Sequence, residues 1–296
     1  MKKIDFTSCK VVSNYTYEGA NGKKIAIMYD NNIYMLKFPS VAKNNDKISY
    51  SNSVISEYIS CKIFKMLGFK TQEVILGIYN TEKKEKDVVA CMDFTIPNKK
   101  FHSFASIKNT IIDSESNGFG TELSEIIDTI NSQTIIDSEY LLDFFWEMFI
   151  VDSLLGNFDR HNGNWGFLSD VNGNFEIAPI FDCGSCLFPA ADDNLIKQQL
   201  NDYSELEKRI YTFPNSAIKI EGVKISPYKF INSLSNDNCN KALLKIYPKI
   251  DIQKINEFID SIPISDLRKE YYKTIIFERY DKILTPAYNS LNQESF

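Results

Sequence analysis

The stretch from Gly156 to Ser185 constrains the fold of this chain more than any other part of the sequence. An apolar helical pattern, Tyr140–Leu155, precedes this stretch. Within the stretch itself, two short strand patterns flank a Ser-Asp-Val-Asn-Gly-Asn turn. The strands are predicted at Trp165–Leu168 and Phe175–Phe181. Because the strands of a hairpin are antiparallel, the residues that enter the first strand lie beside those that leave the second. The sequence therefore predicts one small volume shared by residues that are distant along the chain.

Three polar side chains belong to that volume, and together they indicate phosphoryl-transfer chemistry. Asp159 and Asn164 lie on the loop before the first strand, and Asp182 follows the second strand. The oxygens of Asn164 and Asp182 suit a hard cation such as Mg2+, which takes few protein ligands and completes its shell with water and phosphate oxygens. Asp159 is placed to accept a proton from an attacking hydroxyl group or to orient that group. A kinase needs this division of roles.

Size and charge exclude several other classes of protein. The chain has 296 residues, of which 44% are hydrophobic, and a formal net charge of −6, which suits two lobes or two packed domains. The acidic balance, without a block of basic residues, argues against direct nucleic-acid binding. The amino terminus lacks the apolar run of a secretory signal, and Leu141–Leu155 is too short and too charged for a membrane span. We expect a cytoplasmic protein without membrane association, and a role as a secreted effector stays open.

Cysteine and histidine usage argues against redox and zinc chemistry. Six cysteines are scattered without a disulfide framework, and the only histidines are His102 and His161. Cys183 and Cys186 form one C-x-x-C pair, but no second pair or nearby histidine completes a zinc site. We expect reduced thiols.

The amino-terminal part is predicted to consist of strands around one helix. Strand patterns at Lys24–Tyr29 and Ile33–Phe38 follow the turn Gly19-Ala20-Asn21-Gly22. The two glycines permit either an ordinary hairpin turn or a loop whose backbone N–H groups cover a phosphate. Lys37 lies on the same strand face as Ile33 and Met35, so it either reaches water from an edge strand or contacts nucleotide phosphates.

A helix is predicted at Ser53–Leu67, and Glu57 falls off its apolar stripe. Glu57 is either a solvated helix residue or the partner of Lys37. Strand patterns at Val74–Tyr79 and Val88–Phe94 follow, and the polar region 98–137 is predicted to form helices and loops. Beyond the Gly156–Ser185 stretch, helical patterns occupy the carboxyl-terminal part at Ser204–Tyr211, Asn238–Leu244, Ile252–Ile262 and Leu267–Leu284. The pattern thus predicts an α+β protein with a strand-rich amino lobe and a mostly helical carboxyl lobe.

Two stretches resemble one known family. Asn157-Phe-Asp159-Arg160-His161-Asn162-Gly-Asn164 resembles the catalytic loop of the HipA-like serine/threonine kinases, and Asp182-Cys-Gly184 stands where that family carries its metal-binding Asp. The segment Tyr34-Met-Leu-Lys37-Phe-Pro39 is similar to the amino lobe of the same family. The Asp-Arg-His-x-x-Asn order is also similar to that of the phosphatidylinositol kinases.

The resemblance implies a two-lobed protein-kinase-like fold that uses ATP and Mg2+, with lobes at residues 1–97 and 98–296. It also implies roles for individual residues: nucleotide binding for Lys37, Glu57, Gly19, Ala20, Asn21, Gly22 and the hinge residues Asp93 and Phe94, catalysis for Asp159, Arg160 and His161, and metal binding for Asn164 and Asp182. The individual roles of Arg160 and His161 stay open. Either side chain could approach the γ-phosphate, or Arg160 could brace the loop through a carboxylate.

The resemblance further implies transfer to a serine or threonine of a protein, with autophosphorylation, and a translation component is one substrate that the family suggests. An antitoxin-like partner is a second implication. Members of the family can be switched off by phosphorylation in the phosphate loop, where this chain offers Ser13 and Thr16. Compared with longer toxins of the family, the chain is expected to be a compact form without the extra amino-terminal subdomain. The alternatives are a lipid or small-molecule kinase of the same fold, a non-catalytic nucleotide-binding regulator, and a hydrolase or structural protein.

Overall fold

The computed structural model of the protein describes residues 2–13, 24–41, 49–50, 52–82, 84–112 and 117–293. The predicted glycine turn from Gly19 to Gly22 lies outside these residues, as does Thr16. In chain order, the amino-terminal elements are β1 (Ile4–Asp5), β2 (Lys10–Val11), β3 (Lys24–Tyr29), β4 (Asn32–Lys37), β5 (Ser40–Val41), β6 (Ser49–Tyr50), α1 (Ser53–Met66), β7 (Val74–Asn80) and β8 (Glu85–Met92).

The amino-terminal sheet has the strand order β1-β7-β8-β4-β3-β2 within the described residues. Alternation along β4 divides its side chains between two cores. Tyr34 and Leu36 pack into a small core with Phe6 and Ile27. Met35 packs on the opposite side, where helix α1 contributes to the larger core. The same alternation turns Lys37 towards α1, so strand period and helix position together bring this lysine to Glu57.

The carboxyl-terminal part is mostly helical. Its elements are β9 (Lys100–Ser103), α2 (Phe104–Ile111), α3 (Leu123–Ser132), α4 (Ser138–Leu155), β10 (Gly166–Ser169), β11 (Phe175–Ile177), α5 (Asp193–Asn201), α6 (Tyr203–Glu207), β12 (Lys219–Ile220), β13 (Val223–Lys224), α7 (Pro227–Asn232), α8 (Asp237–Ile246), α9 (Ile252–Ser261), α10 (Asp266–Arg279) and α11 (Thr285–Gln293). Turns of π-helix at Lys208–Thr212 and Tyr280–Leu284 follow α6 and α10. The α+β prediction is confirmed, whereas the boundary near Pro97 stays a prediction.

Strand β9 is a correction to the sequence prediction, which placed only helices and loops in 98–137. Residues Lys100–Ser103 pair antiparallel with β10, so the predicted hairpin is the β11-β10 part of a three-stranded sheet. Residues of β9 show no apolar alternation. They form a strand because they pair with residues far along the chain. Backbone contact is close here, since a Cβ on Gly166 would lie 2.2 Å from the carbonyl oxygen of His102.

Helix α4 carries the chain into the loop of residues 157–164, which we call the catalytic loop after its predicted role. Asp137 caps its first turn by accepting a hydrogen bond from the Tyr140 N–H at 2.8 Å. Its last turns are buried, and it ends at Gly156, whose left-handed φ of 64° lets the chain leave the helix axis. Among the described residues, no helix is both long enough and apolar enough to cross a membrane.

Candidate active site

Lys37 is at the centre of the site, between two carboxylates. Its Nζ lies 3.0 Å from Oε2 of Glu57 and 2.9 Å from Oδ1 of Asp182. Burial acts to lower the pKa of Lys37, but Asp182 and Glu57 outweigh it and raise that pKa well above the ordinary value. The contact predicted between Lys37 and Glu57 is present, and the ammonium stays charged at neutral pH.

Glu57 reaches Lys37 from the buried side of α1, where its side chain is only 1% exposed. Burial raises the pKa of Glu57, although the charge of Lys37 acts against this shift. Gly184 packs directly beside this carboxylate, because a Cβ there would come within 3.3 Å of Glu57 Oε2. The glycine of the Asp-x-Gly motif thus leaves room for the Lys37–Glu57 pair.

Asp182 occupies a backbone conformation that side-chain-bearing residues rarely adopt. Its φ is 54°, in the left-handed region. Strained backbone of this kind concentrates at functional sites, where the surrounding structure maintains it. The charge of Lys37 is the main cause that lowers the pKa of Asp182 to about 2. Its carboxylate is therefore ionised throughout the physiological range.

Lys24 is a second cation at the site, and sequence reasoning missed it. It pairs directly with Lys37 in the β3–β4 register. Its charge, after the larger effect of Lys37, also lowers the pKa of Asp182. The signal that could have identified Lys24 is the hairpin register, which places it opposite Lys37.

Arg160 is buried inside the catalytic loop and makes a dense set of contacts. Its Nε lies 2.9 Å from Oδ2 of Asp152, and its Nη1 donates to the carbonyl oxygens of Asn164 at 3.0 Å and Phe181 at 2.6 Å. Its Nη2 lies 3.3 Å from Sγ of Cys183. One guanidinium group thus joins the loop to the segment that carries Asp182. This arrangement favours the bracing role for Arg160 over contact with a phosphate.

Asp152, the partner of Arg160, was not among the predicted site residues. It lies in the last turns of α4 and accepts a further hydrogen bond from Asn157 Nδ2 at 2.8 Å. Burial raises the pKa of Asp152, while Arg160 acts to lower it. The sequence did offer a signal for Asp152: it is a single carboxylate among apolar residues, just before the Asp-Arg-His motif.

Asp159 is half-buried on the loop, with its backbone held on both sides. Its N–H donates to Asn157 Oδ1 at 3.1 Å, and its carbonyl accepts from Asn164 Nδ2 at 2.8 Å. Burial raises the pKa of the Asp159 carboxyl; His161 lowers it, the charge of Asp182 raises it, and Lys224 lowers it. A carboxylate with a raised pKa is better suited to accept a proton than an ordinary aspartate.

His161 is held by its own loop. Nδ1 accepts a hydrogen bond from the N–H of Gly163 at 3.0 Å, and the ring meets the ring of Phe119 edge-on at 6.0 Å. Nε2 makes no hydrogen bond with any residue that the structure describes, so this nitrogen is available to a ligand.

Asn164 and Asp182 form a two-residue oxygen donor set. The amide nitrogen of Asn164 is used by the carbonyl of Asp159, which leaves Oδ1 as its free donor atom for a cation. The part of the chain that the structure describes has no group of three or more His, Cys, Asp or Glu side chains arranged to hold a metal. One amide oxygen and one strongly acidic carboxylate nevertheless fit Mg2+, which keeps several water or phosphate ligands.

The two predicted hinge residues face different neighbours. The N–H of Asp93 donates to the carbonyl of Ile33 at 2.9 Å, and its carboxylate accepts from the Thr95 N–H at 2.9 Å. The ring of Phe94 packs on the ring of Phe181 at 5.4 Å, one residue before Asp182. Since the Asp93 N–H is already used, a nucleotide base would depend on other groups of this segment.

Three buried thiols lie behind Asp182. Hydrogen bonds from Cys186 and Cys61 lower the pKa of Cys183 well below its usual range, and Arg160 adds to this effect. The pKa values of Cys61 and Cys186 are raised, in Cys61 mainly by the hydrogen bond to Cys183 and in Cys186 mainly by burial. All six cysteines are unpaired in the structure, as the sequence predicts.

The chain is similar to known kinases. The family model of the HipA-like C-terminal domain matches residues 16–244. The serine/threonine-protein kinase CtkA of Helicobacter pylori (strain J99) is 46% identical over 291 residues, which cover 97% of this chain and 88% of that protein.

Solved structures extend the likeness to three dimensions. The crystal structure of the Helicobacter pylori proinflammatory kinase CtkA matches with a TM-score of 0.93 and 44% identity, covering 100% of this chain and 99% of that one. HipA of Shewanella oneidensis MR-1, solved with HipB and operator DNA, shares the fold at a TM-score of 0.57 and 15% identity, over 92% of this chain and 66% of that chain. The chain belongs to the HipA-like kinase family.

Proposed function

We propose that this kinase transfers the γ-phosphoryl group of ATP, in the presence of Mg2+, to a serine or threonine hydroxyl of a protein, and that it phosphorylates itself. The observation that carries the proposal is the position of Lys37 Nζ, 3.0 Å from Glu57 and 2.9 Å from Asp182. A kinase requires this lysine, helix glutamate and metal-binding aspartate to be in place together. The 46% identical relative is a serine/threonine-protein kinase, which supports the choice of acceptor.

Each residue then has a defined task. Lys37 neutralises the phosphates that are not transferred, and Glu57 orients Lys37. Asn164 and Asp182 would hold the Mg2+, which supplies charge neutralisation at the phosphates. Asp159 accepts the proton of the acceptor hydroxyl or orients that hydroxyl, and Arg160 keeps Asn164 and the Asp182 segment together through its two carbonyl contacts. Catalysis of this kind depends on positioning and charge rather than on covalent chemistry.

The test is incubation of the purified protein with γ-labelled ATP and Mg2+, followed by gel analysis and phosphosite mapping. Wild type should place label on serine or threonine, and Asp159→Asn and Asp182→Ala should each lower the rate by about a hundredfold or more. Asp128→Asn is the matched control, because Asp128 is exposed on α3 and is not among the residues assigned to the site. The control should keep the wild-type rate.

Two results would overturn the proposal. Label retained at the wild-type rate in both site variants would remove the assigned roles. Label found on added lipid or a small alcohol, and absent from protein, would replace the protein acceptor with another class of substrate.

A further inference from the structure

A short hairpin beside the catalytic loop carries two lysines directly opposite each other. Strands β12 and β13 are antiparallel, and Lys219 pairs directly with Lys224 in their register. Neither lysine forms an ion pair with any residue in the described ranges. Like charges directly opposite each other on one face of a hairpin are destabilising. An anionic group bound between the two lysines would relieve this repulsion.

The base of this hairpin is packed on the catalytic loop. Ser216 and Ile218, which precede β12, line a small buried cavity whose other walls include Arg160 and Asn162. Backbone hydrogen bonds join the hairpin base, from Ser216 N–H to the Ile225 carbonyl at 2.8 Å and from Ile225 N–H to the Ile218 carbonyl at 2.9 Å. The hairpin base therefore lies against the loop that carries Asp159.

The segment before α3 ties the hairpin to Phe119. Asn162 Nδ2 donates to the carbonyl oxygens of Gly118 at 3.0 Å and Gly120 at 2.7 Å, which fixes Phe119 beside the loop. The Lys219 N–H donates to the Thr121 carbonyl at 2.9 Å.

The turn of the hairpin is anchored as well. The carboxylate of Glu122 accepts from the N–H groups of Glu221 at 2.6 Å and Gly222 at 3.0 Å. The catalytic loop, the Phe119 segment and the hairpin thus form one hydrogen-bonded unit, and the lysines are held in place rather than carried on a free loop.

An exposed aromatic side chain accompanies the lysines on this unit. Phe119 is 53% exposed and contacts the ring of His161. Val223 is exposed as well, but it is adjacent to Lys224 on β13 and therefore faces the opposite side of the hairpin. We call Phe119, Lys219 and Lys224 the acceptor platform. It offers two cations and one aromatic contact beside the loop that carries Asp159.

We propose that the acceptor platform binds the protein segment that carries the acceptor serine or threonine, and that it selects segments with acidic residues beside the acceptor. The inference rests on the proposed function and adds the substrate class to it. The occupant follows from charge complementarity, because two unpaired lysines on a fixed support favour carboxylates over basic flanks. The overall charge of −6 does not oppose this choice, since recognition depends on the local charge.

The test compares a library of serine peptides with glutamates flanking the acceptor against one with lysines in the same positions. Wild type should favour the glutamate library by about tenfold in kcat/KM, which corresponds to about 1.4 kcal/mol. The double variant Lys219→Glu/Lys224→Glu should reverse the preference, and Lys224→Gln should reduce it. Lys254→Glu, which changes an exposed lysine on α9, is the control for net charge and should keep the wild-type preference.

A reversal in the double variant would support the platform, since a merely structural change does not exchange one substrate preference for the other. Equal rates with both libraries in wild type would overturn it, as would a preference that the lysine variants leave unchanged. A raised KM for ATP with unchanged peptide preference would instead assign the lysines to the nucleotide. Autophosphorylation without transfer to any peptide would overturn the platform and leave the proposed function standing, whereas no transfer to protein or peptide would overturn that function itself.

Discussion

The buried pair of Asp152 and Arg160 gives the sharpest test of how the catalytic loop is held. Their side chains are 7% and 4% exposed, and the guanidinium also bonds two backbone carbonyls. Asp152→Asn leaves the Arg160 charge buried without a carboxylate, and removal of one partner of a buried pair costs about 3–5 kcal/mol. Arg160→Met leaves the Asp152 carboxylate in the same position and should cost a similar amount.

The double variant should be less destabilised than the two single costs predict. Once one charge is gone, removing the other relieves an unpaired buried ion, so we expect a coupling energy of about 2–3 kcal/mol. The matched control is the more exposed pair of Glu205, on α6, and Lys208, in the π-helical turn that follows it, with an expected coupling of about 0.3–0.5 kcal/mol. Urea unfolding can be followed by the fluorescence of Trp146 and Trp165, which are both buried.

Two outcomes would contradict this reasoning. Single costs below about 1 kcal/mol that simply add would show that Asp152 does not hold the guanidinium. Arg160→Met with wild-type stability and a greatly reduced rate would assign Arg160 to the phosphate, which is the alternative that the sequence left open.

Four further predictions concern the reacting groups and the glycine that packs beside them. Asp159→Asn should lower the transfer rate about 10²–10⁴-fold. It should also raise the melting temperature, because burial raises the pKa of Asp159 and so disfavours its ionised form in the folded state. A lowered melting temperature would contradict this reasoning. The rate should fall with decreasing pH at a pKa above the ordinary aspartate value of about 3.9, because Asp159 must be ionised. Ionised Asp182 should stabilise the folded state fully above about pH 3.9, and this stabilisation should disappear only as the pH falls towards the Asp182 pKa of about 2. Acid unfolding of wild type and Asp182→Ala measures this difference. Gly184→Ala should slow transfer at least several-fold, because its Cβ would lie 3.3 Å from Glu57 Oε2, and a wild-type rate would show that the pair has room to shift.

The parts of the site that follow local periodicity could be predicted from the sequence. The strand period placed Lys37 on the same face as Ile33 and Met35, and the structure turns that face towards α1 and brings Lys37 to Glu57. The antiparallel rule for hairpins predicted that the entrance of one strand lies near the exit of the next. Arg160 bonds the carbonyls of both Asn164 and Phe181, so the two ends do meet.

Contacts made only through the tertiary fold were not predictable in this way. Strand β9 shows no apolar alternation, because it is defined by its partner β10 rather than by its own pattern. Asp152 resembled a charge interrupting an apolar helix until its buried partner was known. Lys24 was missed because its position opposite Lys37 depends on the register of two strands, which composition does not reveal.

The contacts of Lys37 with both Glu57 and Asp182 affect how strongly a cation and a nucleotide bind. Lys37 neutralises Asp182 at 2.9 Å, so a phosphate that binds Lys37 competes with a carboxylate for the same ammonium. When the phosphate takes Lys37, Asp182 loses its counter-ion and becomes a stronger ligand for a cation. In the proposed reaction, cation and nucleotide therefore increase each other's affinity by the same factor, since such coupling is reciprocal. Nucleotide alone should bind weakly, and the metal complex should bind as a unit.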